Sequence, residues 1–110
     1  MKQYVIDQLR ESDYHQIREF LERSTEAKGL EGIYWADLPL ELYSETQKEH
    51  TPCHPHYFAI SLDWNAVAFE LLIRSRQVIR CYCIAYATPQ QREYILDFAD
   101  RMLAELKIRL

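Results

Sequence analysis

Between residues 57 and 106 the apolar positions recur first with a period of two and then with a helical period. Phe58, Ile60 and Leu62 alternate with Tyr57, Ala59, Ser61 and Asp63, and Val67, Phe69, Leu71 and Ile73 alternate with Ala66, Ala68, Glu70, Leu72 and Arg74. Successive side chains of a strand point to opposite faces, so these sets predict strands over 57–63 and 66–74, each with one buried face. A tight turn at Trp64-Asn65 sets Leu62 opposite Val67, Ile60 opposite Phe69 and Phe58 opposite Leu71. Apolar side chains then meet apolar side chains, as a stable register requires.

A third strand is expected over 78–87. Ile79, Cys81, Cys83, Ala85 and Ala87 form one face, and Val78, Arg80, Tyr82, Ile84 and Tyr86 the other. A two-residue turn before it would turn Arg80 into the core. A three-residue turn at Ser75-Arg76-Gln77 instead places the small face under the following helix. That helix has an N-cap at Thr88, Pro89 in its first turn and Gln91 completing a capping box. Ile95, Phe98, Ala99, Met102, Leu103 and Leu106 make its apolar stripe, opposite Arg92, Glu93, Asp97, Asp100, Arg101 and Glu105.

Upstream the pattern is weaker. Residues 3–9 fit a short strand, with a helical lead-in as the competitor. Ser12 reads as an N-cap for a helix over 13–27 that carries Tyr14, Ile17, Phe20 and Leu21 on one face and ends at Lys28-Gly29. Ile33-Tyr34-Trp35 suits a short strand or an aromatic loop. Asp37-Leu38-Pro39 opens a second helix reaching His50, which Ser44 and Gln47 restart or continue at capping-box spacing. Leu38, Leu42 and Tyr43 face inward there. Residues 51–56, with two prolines, must be a loop. The expected architecture is an α+β domain over 1–110: an antiparallel meander of three or four strands with two or three helices, the long C-terminal one packed on one sheet face.

At 110 residues, with 48% hydrophobic and 27% charged side chains, the chain has the profile of one globular core rather than of a disordered segment. Asp7 interrupts the first residues before a signal-peptide core can form, and the run from Cys81 to Ala87 is far shorter than the roughly 18 residues of a membrane span. The three cysteines are an odd number, with Cys81 and Cys83 two apart, which is no disulfide framework. A reducing cytoplasmic setting is expected. The net charge is −4, and Arg74, Arg76 and Arg80 form the one basic cluster, at a turn. No nucleic-acid footprint and no membrane association are expected.

The two glycines, Gly29 and Gly32, exclude phosphate-binding loops, dinucleotide fingerprints and nucleophile elbows, so no cofactor is expected. Three arrangements could carry function. His50-x-x-Cys53-His54-x-His56 with Cys81-x-Cys83 supplies zinc-type ligands, although a C-x-C within a strand reads more simply as two small buried hydrophobes. On that ground no metal site is assigned. Cys53 could instead be a nucleophile with His50 or His56 as base, and no third group orients that base. The arrangement preferred here is the sheet face turned away from the C-terminal helix. It would carry Tyr57, Glu70, Arg74, Arg80, Tyr82 and Tyr86 and is too aromatic to remain solvated. The expected role is a small interaction or ligand-binding module, with a homodimer through that face as one form of it. The alternative is a metal protein or small thiol enzyme built on the Cys53/His50/His54/His56 loop.

Overall fold

A computed structural model describes residues 2–27 and 30–110. Its strands are β1 (Gln3–Ile6), β2 (Glu26–Ala27), β3 (Ile33–Asp37), β4 (His56–Asp63), β5 (Ala66–Glu70), β6 (Leu72–Ser75) and β7 (Ala85–Tyr86). The α-helices are α1 (Glu11–Ser24), α2 (Glu45–Glu49) and α3 (Pro89–Leu106), with single 3₁₀ turns at Leu40–Leu42 and Thr51–Cys53. The fold is α+β, and every strand pairing is antiparallel. The strand order is β1-β5-β4-β3-β2, with β6 also pairing β4 and β7 pairing β6. The sheet is therefore larger than the expected three or four strands. β1 and β3 take up the short-strand options of 3–9 and 33–35, the expected second strand divides into β5 and β6, and the two-residue β2 pairs with β3.

The β4–β5 hairpin has the expected register, Ile60 opposite Phe69 and Leu62 opposite Val67 across the Trp64-Asn65 turn. Phe58 does not face Leu71. Continuing the hairpin pairing would set Tyr57 against Leu72, whereas Tyr57 pairs with Arg74, a slip of two residues. Leu71 sits in the break. Its N–H donates to Lys2 O at 3.1 Å and its carbonyl accepts from Ala87 N at 2.7 Å. One apolar run thus becomes two strands joined by a bulge.

The third strand is corrected more heavily. Only Ala85–Tyr86 is extended, paired with Leu72 and Ile73, and residues 76–84 form a loop. Ile79, assigned to the core face, is 91% exposed. Alternation alone could not detect this, because the loop happens to alternate too. In the second expected helix, β3 takes Asp37, and a 3₁₀ turn precedes the short α2. Ser44 and Gln47 do form the capping box, and Leu38 and Tyr43 are buried. Helix α1 begins at Glu11 rather than after Ser12, because Asp13 reaches back to accept from Arg10 N (3.1 Å) and Nε (2.9 Å). The Arg10 guanidinium, which donates to it, holds the Asp13 carboxyl below its ordinary pKa. Helix α1 stops at Ser24, and the expected Lys28-Gly29 end lies outside the described residues.

Both long helices pack on the face of Phe58, Ile60, Val67 and Phe69, joining Ile17, Leu21, Ile95, Ala99 and Met102 in one buried core. The edge of Phe98 meets Phe20, Phe58 and Phe69 at ring distances of 5.7–6.2 Å. Gly32 is required where the chain enters β3. Its φ is +81°, and a Cβ there would sit 2.8 Å from Leu62 O. Phe69 is fully buried at the centre of this layer, so Phe69→Ala should lower the unfolding free energy by about 3–5 kcal/mol in urea titration. A loss under about 1 kcal/mol would contradict the β4–β5 register.

Candidate metal centre

Three separate segments bring His50, Cys53, Cys81 and Cys83 together. His50 caps the C-terminus of α2, Cys53 ends the 3₁₀ turn that follows, and Cys81 and Cys83 lie on the 76–84 loop. One ligand atom from each falls within 4.8 Å of every other. For zinc–sulfur bonds of about 2.3 Å a tetrahedron has edges of roughly 3.8 Å, so a single ion fits this spacing after small side-chain rotations. His54 and His56, grouped with these residues in the sequence, are not among the four.

The local chain explains the convergence. Ser75, buried at the end of β6, donates its hydroxyl to Cys53 O at 2.5 Å and accepts from Gln77 N and Val78 N at 3.0 and 3.2 Å. Arg76 N donates to Pro55 O at 3.0 Å. These contacts hold the start of the loop against the Cys53 segment. The other end is fixed by a chain of two glutamines. Gln91, third residue of α3, donates to Gln47 Oε1 (2.9 Å) and Leu42 O (2.8 Å), and Gln47 donates to Cys83 O at 3.2 Å. Both glutamines also complete their own helices' capping boxes. Sequence reasoning identified the caps and had no signal for the bond between them.

The four side chains are of cation-ligating types. Burial first, then the neighbouring Cys81 sulfur, pushes the Cys83 thiol up to about 12. Cys81 moves the other way, to about 7, chiefly through the Cys83 backbone N–H and then its side chain. With its pKa raised this far Cys83 is a neutral thiol beside Cys81, and only a cation placed between the sulfurs would favour both as thiolates. His50 turns Nδ1 toward Cys81 Sγ at 3.2 Å, while Nε2 lies 2.9 Å from the Tyr82 hydroxyl. With a metal on Nδ1, the ring proton is on Nε2 and is donated to Tyr82, the outer-sphere arrangement that fixes a ligating histidine. His56 is fully buried, and burial lowers its pKa to about 4, with His54 and His50 adding to the effect. Its Nε2 is 3.4 Å from Cys83 Sγ, and its Nδ1 finds no hydrogen-bond partner among the described residues. A metal-bound Cys83 sulfur can only accept, so His56 would then donate through Nε2. His54 is committed elsewhere, to Gln47 O at 2.6 Å.

The residues proposed for the sheet face divide into two groups. Tyr57 is buried and stacks on Trp35 at 4.1 Å beneath the Arg76 guanidinium, and Glu70 pairs with Arg74 at 3.1 Å. Tyr86 lies on β7, where Lys2 Nζ stands 5.2 Å from its ring centre. Arg80 and Tyr82 are instead exposed on the loop, away from the sheet. Separately, a groove of about 510 Å³ between α1 and α3 is lined by Phe20, Arg23, Tyr94, Phe98 and Arg101, and it holds no convergent reactive set. No helix among the described residues is long and apolar enough to cross a membrane. The chain matches no family model, no curated protein and no solved structure.

Gln47 is 2% exposed and serves Ser44 N, Cys83 O and Gln91 at once. Gln47→Leu should therefore lose about 1–3 kcal/mol for each partner left unsatisfied. Denaturant unfolding beside the exposed-site control Glu49→Ala, expected within about 0.5 kcal/mol of the parent, checks this.

Proposed function

We propose that the chain is a small zinc-stapled domain in which His50, Cys53, Cys81 and Cys83 hold one structural ion. The observation that carries this reading is the convergence of four ligand atoms within 4.8 Å from segments some thirty residues apart in sequence. Three cysteines and one histidine are the donor set of closed structural zinc sites, and all four positions of a tetrahedron are supplied by protein. No position is left open for a substrate, which favours a structural role over a catalytic one. The ion would join α2, the 76–84 loop and, through Gln47 and Gln91, the start of α3. It would do there what strand pairing does not, since residues 76–84 have no regular structure.

Purified under reducing conditions, the protein should carry about one zinc per chain, and cobalt substitution should give thiolate charge-transfer bands with tetrahedral d–d absorption. With free zinc at a thousand times its dissociation constant, metal should stabilise the fold by about 4 kcal/mol. Chelation should remove that increment and Cys83→Ser should prevent it. Full stability in the presence of chelator and absence of metal in the purified chain would refute the reading.

A second reading concerns the sheet face opposite the helices. Ile33, Trp35, Ser61 and Ala68 on that face are only partly buried and Val5 is 45% exposed. Val5, Ala68, Ser61 and Ile33 lie side by side in register across four strands. A flat row of small and apolar side chains beside the Tyr57, Glu70 and Arg74 cluster supports a role as an interaction module, with a second copy as the simplest partner. Ala68→Glu places a charge in the middle of that row. Sedimentation should then show weakened self-association with an unchanged circular dichroism spectrum, and a parent chain monomeric at high concentration would remove the homodimer.

A further inference from the structure

Resting on the zinc reading, we propose that Cys81 is the reactive thiol of this centre, the sulfur through which peroxide oxidises the ligand set and releases the ion. The ligands are held unequally. Cys83 is 2% exposed, its carbonyl is bonded by Gln47, and its sulfur faces the buried His56 ring. Cys53 is 8% exposed, its carbonyl takes the Ser75 hydroxyl, and its N–H donates to His50 O at 2.9 Å. Cys81 is only half-buried, and it lies in the loop between the exposed Ile79 and Tyr82. Solvent therefore reaches the cluster from the Cys81 side.

Position in a cluster matters as much as exposure. An oxidised thiol is trapped reversibly only when a second thiol stands close enough to resolve it. Cys53 and Cys83 both present sulfur within 4.8 Å of Cys81. The metal-bound Cys81 sulfur attacks one oxygen of hydrogen peroxide, the O–O bond breaks and hydroxide leaves, giving a sulfenic acid. A neighbouring thiolate then attacks that sulfur, the S–O bond breaks, and a disulfide forms. Two thiolates lose two electrons to peroxide, which with two protons becomes two waters. The zinc loses two of its four ligands and dissociates. Reduction of the disulfide by a thiol restores the site, so the metal-dependent part of the fold becomes responsive to oxidant.

The zinc-loaded chain is treated with a substoichiometric maleimide and the labelled peptides are mapped by mass spectrometry. Label should appear at Cys81 about tenfold faster than at Cys53 or Cys83, as the exposed thiolate of a cluster should react. Peroxide should release one zinc, read with a chromogenic chelator, for every two thiols lost, and dithiothreitol should restore metal binding. Even labelling of the three cysteines, labelling led by Cys53 or Cys83, or zinc retained after peroxide treatment would each overturn the assignment while leaving the zinc reading intact. A chain that binds no zinc fails at the earlier step and takes both readings with it.

Discussion

The pairing of β4 with its hairpin partner slips by two residues at Leu71, and the path of the chain beyond that point follows from the slip. Without it, continuing the hairpin register would set Tyr57 against Leu72 instead of Arg74. The slip instead lets β6 pair at His56 and Tyr57, which sets Ser75 against Cys53 and Arg76 against Pro55. Residues 76–84 then lie over the end of α2 rather than on the sheet. Re-aiming a strand in this way is an ordinary use of a β-bulge.

Two kinds of interaction hold the domain, and they divide it by region. The helix-covered face is an apolar core, with Phe58, Ile60, Val67, Phe69, Ile17, Ile95 and Met102 fully buried. The other end, around α2 and the 76–84 loop, has few large apolar side chains and relies on a polar chain from Gln91 through Gln47 to Cys83. Buried polar chains stabilise only when every member is satisfied, and these two glutamines meet that condition by serving capping boxes and each other. The proposed metal ion would add a further tie at the end of this polar chain.

The same arrangement explains why the charged and aromatic residues of the open face do not gather as one surface. Arg76 is drawn over Trp35 and Tyr57 and is bound by Asp37 at 2.8 Å and by Glu26. Arg74 is held by Glu70. These pairs offset the charge of two of the three arginines of the basic turn, while Arg80 is exposed on the loop.

Local chemistry in the sequence was sufficient for the elements that depend on neighbours along the chain. The Thr88-Pro89-Gln91 start of α3, its stripe from Ile95 to Leu106, the Ser44–Gln47 cap and the Trp64-Asn65 hairpin all rest on contacts within a few residues or on one period. The four residues of the candidate metal centre were also visible, as H-x-x-C and C-x-C spacings. Their use was not. Alternation at Ile79, Cys81 and Cys83 is compatible with a strand, and only the tertiary structure shows that pairing with β6 is confined to Ala85 and Tyr86. The bond from Gln47 to Cys83 and the approach of Cys53 to Cys81 join residues roughly thirty positions apart. No periodicity encodes such contacts, because they are fixed by how the strands stack against the helices and not by any segment's own preference.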